Sequence, residues 1–287
     1  MVTKNYPDWL KKRINLDDTY QETEKILKDL NINTVCQAAF CPNMGECFSS
    51  GVATFMILGN ICTRNCRFCD IKNGDTEKVD TKEPENIKKA IKHLNLDHVV
   101  ITSVTRDDLE DNGSKQFAAV LSAIKNIKAV TVELLTPDFK GNYKDIERVV
   151  NLGPDVYNHN IETVPRLYSK IRPQAEYNRS IGLLKTVKEI NSDIVTKSGI
   201  MLGLGEKKEE VIDVMKDLRK VNCDIITIGQ YLQPSLEHAE LKEYIRPEKF
   251  QEFKEIALDL GFKAAASNPF VRSSYKAKEL YFKSIKK

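Results

Sequence analysis

The stretch Ala53-Thr54-Phe55-Met56-Ile57-Leu58-Gly59-Asn60-Ile61-Cys62-Thr63-Arg64-Asn65-Cys66-Arg67-Phe68-Cys69 decides the fold. A short apolar run, the pattern of a buried strand, breaks at Gly59 into a loop that carries three cysteines. Chemistry-bearing residues at a strand's C-terminal end mark an α/β protein. Working outward, the same unit recurs. Strand-like runs lie at Ala53–Leu58, His98–Val104, Val130–Leu135, Val156–Ile161, Val195–Leu202 and Ile225–Tyr231. Helical patterns separate them at Pro84–Leu94, Lys115–Ile127, Tyr143–Asn151, Asn178–Ile190 and Glu209–Val221. In two of these, Ile87, Ala90, Ile91 and Leu94, and Val211, Val214, Met215 and Leu218, fall on one helical face.

Strands alternating with helices make a parallel sheet, either doubly wound or rolled into a barrel. Polar groups choose between them. Thr102-Ser103, Arg106-Asp107-Asp108, Thr136-Pro137-Asp138, His159-Asn160, Glu162-Thr163, Gly203–Glu206 and Gln230 all fall at or just after strand ends. A ring of such groups is the active rim of a barrel, whereas a doubly wound sheet gathers them at one switch point. We therefore expect a partial TIM-type barrel of six strand–helix units over residues 53–233. It has an N-terminal extension (1–52) and a C-terminal one (234–287) that close the active-site face, all in one structural unit. A last helix, Pro247–Leu260, precedes Lys263–Ser267 and the segment Pro269-Phe270-Val271-Arg272-Ser273-Ser274-Tyr275.

Of 287 residues, 41% are hydrophobic and 30% charged, which excludes disorder and collagen-like chains. A chain of this length buries its core without disulfide staples. With 44 basic and 41 acidic residues the net charge is only +3, too weak for a nucleic-acid binder. Lys276, Lys278, Lys283, Lys286 and Lys287 form a basic tail, read as a solvated helix face. No run reaches the roughly 18 apolar residues that span a bilayer. Met1–Leu10 has no apolar core of a signal peptide, and a cytoplasmic location is expected.

Six of the seven cysteines lie between Cys36 and Cys69. In a reducing compartment such crowding means metal or redox chemistry. Cys62, Cys66 and Cys69, spaced Cys-x3-Cys-x2-Cys, can hold three irons of a [4Fe–4S] cube and leave the fourth open to a small molecule. Cys36, Cys41 and Cys47, spaced Cys-x4-Cys-x5-Cys, form a second triplet that also lacks a nearby fourth ligand. Cys223, ahead of the last strand run, is read as a buried inert thiol. An oxygen completing the second site would be a poor ligand for iron–sulfur, so that cluster would be easier to dismantle. A zinc knuckle lacking its fourth ligand, or a chance cluster, is the alternative for Cys62, Cys66 and Cys69.

The three-cysteine loop after a first strand resembles radical S-adenosylmethionine enzymes, and the whole chain resembles the lipoyl synthases. Beyond the two triplets, the resemblance is carried by Pro7-Asp8-Trp9-Leu10, Thr102-Ser103-Val104 with Arg106-Asp107-Asp108-Leu109, Val132–Phe139, Asn158–Val164, Lys197–Glu206 and Val271-Arg272-Ser273-Ser274-Tyr275. It implies that Cys62, Cys66 and Cys69 hold the cluster that reduces S-adenosylmethionine. Cys36, Cys41 and Cys47 would hold an auxiliary [4Fe–4S] cluster, with Ser274, or failing that Ser273, as fourth ligand. The plainer role for these serines is to cap a helix over Lys276–Ile285. Asn268 stands where the family has glycine, and asparagine tolerates the left-handed conformation expected there.

The implied reaction is sulfur insertion at C6 and C8 of an octanoyl chain, amide-linked to a lysine of a lipoyl carrier domain or glycine-cleavage H protein. Two S-adenosylmethionine molecules would be spent per lipoyl group, with the auxiliary cluster as sulfur source. A reduced ferredoxin- or flavodoxin-type donor and an iron–sulfur cluster carrier complete the expected partners, with no nucleic acid and no membrane. Ser103, Asn160, Glu162, Lys197, Gly203, Gly205 and Glu206 are the candidate S-adenosylmethionine contacts; Gly203 and Gly205 would let backbone approach the adenosyl group. Arg172 and Tyr177 are placed on a long loop after the fourth strand, against carrier or substrate. His159 is read as an ordinary hydrogen-bonded histidine, and Trp9 and Phe40 as packing residues. The rivals are a different radical enzyme whose extra cluster relays electrons, and a zinc- or iron–sulfur-stabilised binding protein.

Overall fold

A computed structural model describes residues 6–12, 16–125 and 127–286, so Lys287 of the basic tail lies outside the described residues. Eight strands form one sheet in sequence order: β1 (Asn33–Thr34), β2 (Thr54–Ile57), β3 (His98–Ser103), β4 (Thr131–Leu135), β5 (Val156–Asn158), β6 (Val195–Leu202), β7 (Ile225–Gln230) and β8 (Ala264–Ser267). From β2 to β8 every pairing is parallel; β1 runs antiparallel to β2, with Asn33 opposite Met56 and Thr34 opposite Phe55. β1 and β8 are the two edges of the sheet, so it curls into a barrel that does not close.

The six expected strands are β2 to β7, each within a few residues of its sequence limits. The structure adds β8 as a seventh parallel strand and β1 at the other edge. Between them run α1 (Asp18–Asp29), α2 (Val35–Ala38), α3 (Met44–Ser49), α4 (Glu83–His93), α5 (Ser114–Lys125), α6 (Tyr143–Val150), α7 (Pro165–Ile171), α8 (Tyr177–Ile190), α9 (Lys208–Lys220), α10 (Pro247–Asp259) and α11 (Ala277–Ile285). Pro84 sits in the first turn of α4, where a missing N–H costs nothing, and Ile87, Ala90 and Ile91 are buried against the sheet. α9 buries Val211, Val214, Met215 and Leu218 in the same way.

Alternation along the strands sends one set of side chains to the helices and the other into the barrel. Inside, Glu133 and Lys197 pair at 2.9 Å with both side chains essentially unexposed. Gly199 and Gly229 also face inward. A Cβ on Gly199 would lie 2.8 Å from Asn160 Oδ1, and one on Gly229 only 2.1 Å from the Val271 carbonyl oxygen. The chain after β8 therefore runs inside the barrel, against the backbone of β7.

The C-terminal extension does not lie wholly on the active-site face; it covers both ends of the barrel. Residues 233–245 cross the upper rim. α11 closes the opposite end: its Leu280 packs with Val156, Val195, Ile225 and Ala264, the first residues of β5 to β8. Lys278 Nζ reaches Asp97 at 2.6 Å to pin it there.

Candidate active site

The loop bearing Cys62, Cys66 and Cys69 is fastened to the rim from several sides. Cys62 N–H donates to the Lys72 carbonyl (2.8 Å), Thr63 N–H to Thr105 (3.0 Å) and Arg67 N–H to Ile171 (2.8 Å). Arg64, 5% exposed, points down as a two-armed tie. Its Nε donates to Asp107 (2.6 Å) and its Nη2 to Asp138 (2.6 Å), which holds the Asp138 carboxyl well below the usual carboxylate range. The Arg64 and Thr105 N–H groups donate to Cys62 Sγ at 3.4 and 3.3 Å. The three thiols lie close enough to repel one another's charge. Burial is the larger influence: it raises Cys66 and pushes Cys69 up to about 12.

Glu162 and Arg172 stand beside this loop. Glu162 holds a left-handed backbone (φ 69°), uncommon for a residue with a side chain. Its Oε1 accepts from Asn160 Nδ2 at 3.0 Å. Burial raises its carboxyl, and the nearby Arg172 charge opposes that. Arg172 is not on an open loop as expected. α7 occupies that stretch, and Arg172 is buried, donating through Nη1 to the Asn160 carbonyl (3.0 Å) and Tyr168 OH (2.7 Å). Tyr177 likewise starts α8 and donates its OH to Asp217 at 3.0 Å.

The second triplet is built at the sheet edge. Thr34, ending β1, caps α2 by accepting from Gln37 N–H, and α2 carries Cys36 into the core. Burial pushes Cys36 up to about 11 and Cys47 to about 12, with mutual repulsion of the triplet adding to both. This loop grips the segment after β8: Asn43 Nδ2 donates to the Phe270 carbonyl (2.7 Å), and Tyr275 OH donates to Glu46 (2.9 Å). Lys12 lies over both aromatic rings.

Ser274 Oγ accepts from Thr54 Oγ1 at 2.8 Å, and Thr54 stands beside the Cys36 thiol. Ser273 faces elsewhere: its Oγ accepts from Asn158 Nδ2 (2.9 Å) and donates to Asn160 Oδ1 (2.8 Å). Neither serine caps α11, whose N-cap is Lys276 in a left-handed conformation with no side-chain bond. Asn268 is not left-handed either. Its Oδ1 accepts from Phe270 N–H at 3.1 Å, so the turn is held by a side chain instead of by a glycine-like backbone. The Arg272 guanidinium is enclosed beside Cys41 and donates to the Val271 carbonyl (2.8 Å).

The remaining candidates divide. Ser103 ends β3 with a buried hydroxyl that has no hydrogen-bond partner, as do Asn158 Oδ1 and the Ser267 hydroxyl. Lys197 points inward, with its ammonium on both oxygens of Glu133 (2.9 Å each). Gly203 (φ 106°) is required by a close neighbour: its Cβ would lie 2.6 Å from the Glu243 carbonyl oxygen. Gly205 likewise faces Lys242, and both belong to a turn that Glu206 ties by accepting from Gly203 N–H (2.6 Å) and Leu204 N–H (2.9 Å). That glycine pair accommodates the 233–245 segment. Gln230 secures the same segment, donating to the Glu243 carbonyl (3.0 Å) and accepting from Ile245 N–H (2.8 Å).

His159 is an ordinary buried histidine, bonded to the Thr136 carbonyl and Ser180 Oγ. Cys223 is buried ahead of β7, its thiol pushed up to about 12 by burial. Phe40 is no packing residue: it is 80% exposed, between Cys36 and Cys41, and Trp9 is 38% exposed. Sequence reading missed Thr54, Glu133, Asn158 and Gly229. Only their tertiary contacts reveal them, although a glycine inside a strand pattern is itself a sign of close backbone approach.

The donors suit iron–sulfur chemistry: two sets of three thiols, each carried within one short stretch of chain, and a hydroxyl beside the second. Among the described residues no three His, Cys, Asp or Glu side chains converge on a single-ion site, as a zinc knuckle would require.

Comparison with known proteins agrees. Residues 56–218 match the Radical SAM superfamily. The chain is 56% identical over 276 residues to a lipoyl synthase of Caldanaerobacter subterraneus, covering 96% of this chain and 97% of that one. It is 54% identical over 280 residues to a lipoyl synthase of Caldicellulosiruptor saccharolyticus, covering 97% and 98%. Among solved structures, methylornithine synthase shares the fold at a TM-score of 0.58 and 13% identity, over 87% of this chain and 82% of that one. Coproporphyrinogen III oxidase of Escherichia coli shares it at 0.51 and 13%, over 72% and 52%. With a half-buried three-cysteine loop on a barrel rim, a second triplet at the sheet edge and relatives this similar over almost its whole length, the chain belongs to the lipoyl synthase family of the radical SAM superfamily.

Proposed function

We propose the residue roles by which this lipoyl synthase converts a protein-bound N6-octanoyl-lysine into the lipoyl group, with sulfur inserted at C6 and C8. Cys62, Cys66 and Cys69 hold one [4Fe–4S] cluster; Cys36, Cys41, Cys47 and Ser274 hold the auxiliary one. When bound, the two clusters and S-adenosylmethionine supply the electron, the hydrogen-abstracting radical and the sulfur. The observation that carries the choice of Ser274 over Ser273 is Thr54, which bonds Ser274 and stands beside Cys36, while Ser273 is taken up by Asn158 and Asn160.

The chain's own residues bind, orient and exclude water. Arg64 fixes the cluster loop to Asp107 and Asp138. Asn160, Glu162 and Ser103 present polar groups toward S-adenosylmethionine, with Gly203, Gly205 and Glu206 shaping the rim turn beside it; Lys197 is spent on its ion pair with Glu133 inside the barrel. Burial of the thiols means that protons must leave as iron enters. Arg172 sets a cation beside Cys66, which opposes the burial that raises that thiol.

The roles follow three stretches: 1–52 supplies the auxiliary ligands, 53–233 the radical machinery, and 234–287 the rim strap, the fourth ligand and the end cap. The substrate is an octanoylated carrier protein, a lipoyl domain or glycine-cleavage H protein. A small reduced ferredoxin or flavodoxin and an iron–sulfur carrier serve the clusters, and the enzyme works in the cytoplasm. No helix among the described residues is long and apolar enough to cross a membrane.

The decisive experiment is an anaerobic reaction of the reconstituted protein with S-adenosylmethionine, a reductant and an octanoyl-lysyl peptide, read by peptide mass. Gain of two sulfur atoms is expected for the wild type. Ser274→Ala should lose that gain while still releasing 5′-deoxyadenosine. Full sulfur insertion by Ser274→Ala would overturn the ligand assignment.

A further inference from the structure

The two adjacent serines face opposite sites. Ser274 turns to Thr54 and, through it, to Cys36. Ser273 lies in a chain of side-chain bonds that leads to the other cysteine loop. Asn158 Nδ2 donates to Ser273 Oγ (2.9 Å), Ser273 Oγ donates to Asn160 Oδ1 (2.8 Å), and Asn160 Nδ2 donates to Glu162 Oε1 (3.0 Å). Glu162 lies within charge range of Cys66 and Cys69. Gly229 presses this segment from behind, because β7 backbone leaves no space for a Cβ against Val271.

Asn160 is the junction. Its amide has one carbonyl oxygen and one NH2, and the structure commits the first to Ser273 and the second to Glu162. A ligand that draws the amide or the Glu162 carboxylate toward itself must turn both ends of that planar group at once. We propose that Ser273 is a positioning residue that couples the two cluster sites: S-adenosylmethionine bound against Asn160 and Glu162 weakens the Ser273 bond and loosens the segment that presents Ser274. The proposal rests on the site assignments above. By linkage the coupling is reciprocal, so cutting the bond must tighten S-adenosylmethionine binding by the same factor that binding loosens the segment.

The test uses the full chain with both clusters reconstituted and S-adenosylmethionine without reductant, so that no cleavage occurs. Affinity is read by equilibrium dialysis, and local opening by hydrogen exchange of residues 270–276. In the wild type S-adenosylmethionine should raise exchange in this segment about five-fold, the factor set by one neutral hydrogen bond. Ser273→Ala should start at the raised rate, show no further response and bind S-adenosylmethionine about five-fold tighter. Ser273→Thr keeps the hydroxyl and should restore the wild-type response. If S-adenosylmethionine binds the wild type and exchange of 270–276 stays constant, the coupling is refuted with the site intact. A Ser273→Ala chain that still responds refutes it too. Unchanged affinity in Glu162→Gln would remove the site assignment itself. Should Ser273→Ala fail to melt cooperatively, the wild-type response alone decides.

Discussion

Lys197→Met is the sharpest probe of what the barrel interior is for. Lys197 and Glu133 are both unexposed and bond at 2.9 Å, and Asn158 Nδ2 adds a third bond to Glu133 at 2.7 Å. Removing the ammonium leaves a carboxylate buried with one neutral donor, which costs about 3–5 kcal/mol. At ~2–4 °C per kcal/mol for a chain of this class, the melting temperature of the metal-free protein should fall by about 6–20 °C. The companion Glu133→Leu should fall by a similar amount, since it strands the Lys197 ammonium in the barrel interior. The double variant Glu133→Leu/Lys197→Met should recover to within about 1–2 kcal/mol of wild type, the residue being the bond Asn158 loses. The assay is a circular-dichroism melt of all four proteins, followed by dialysis against S-adenosylmethionine after reconstitution. The double variant should bind S-adenosylmethionine as the wild type does. A Lys197→Met chain that melts within 2 °C of wild type yet loses binding would show that Lys197 is a ligand contact and that its pairing with Glu133 is incidental.

Gly229→Ala places a methyl 2.1 Å from the Val271 carbonyl oxygen, and backbone on both sides prevents easy relief. Overpacking of this kind costs about 1–3 kcal/mol, and here it displaces the segment ahead of Ser274, so iron content after reconstitution should drop by about half; full iron content would count against the placement of that segment. Burial holds His159 at about 4, below the usual 6.5 of an imidazole. The unfolded chain therefore takes up a proton first, and this residue's share of stability is lost as pH falls from about 6.5 toward 4, about 3 kcal/mol over the window. His98 shifts the same way, while burial raises Glu83, Glu162 and Glu206 and makes them act oppositely. The measurement is accordingly the difference between wild type and His159→Gln in urea melts at several pH values, and a difference independent of pH between 6.5 and 4 would refute it.

Six parallel strands were legible because each is a short apolar or β-branched run with a helical period beside it. β8 reads poorly: Ala264-Ala265-Ala266-Ser267 has small side chains and no β-branched residue, and it joins the sheet only because it pairs with β7. α7 was hidden by its brevity and by Pro165, which suits a helix start as well as a loop. The cysteine triplets were legible from spacing, since each lies within one loop. What spacing does not carry is contact between distant positions. Nothing near Ser273 and Ser274 in the sequence separates their roles; Asn158, Asn160 and Thr54 do so across 113 to 220 residues. Gly203 was read as a place for a cofactor because its conformational demand was visible and its neighbour, Glu243, was not.

The grip of the Cys36–Cys47 loop on the segment around Ser274 also sets an order in time. Cys36 and Ser274 are 238 positions apart (274 minus 36), so at ribosomal speeds the second follows the first by roughly 12–48 s. Over that interval the nascent chain presents three cysteines without the Ser274 hydroxyl and the Tyr275 side chain that later stand beside them. The radical-generating loop meets its own tethers much sooner, since Asp107 and Asp138 follow within 74 residues of Arg64. Iron delivered during synthesis would reach a half-made pocket at the auxiliary site, so its assembly belongs after translation.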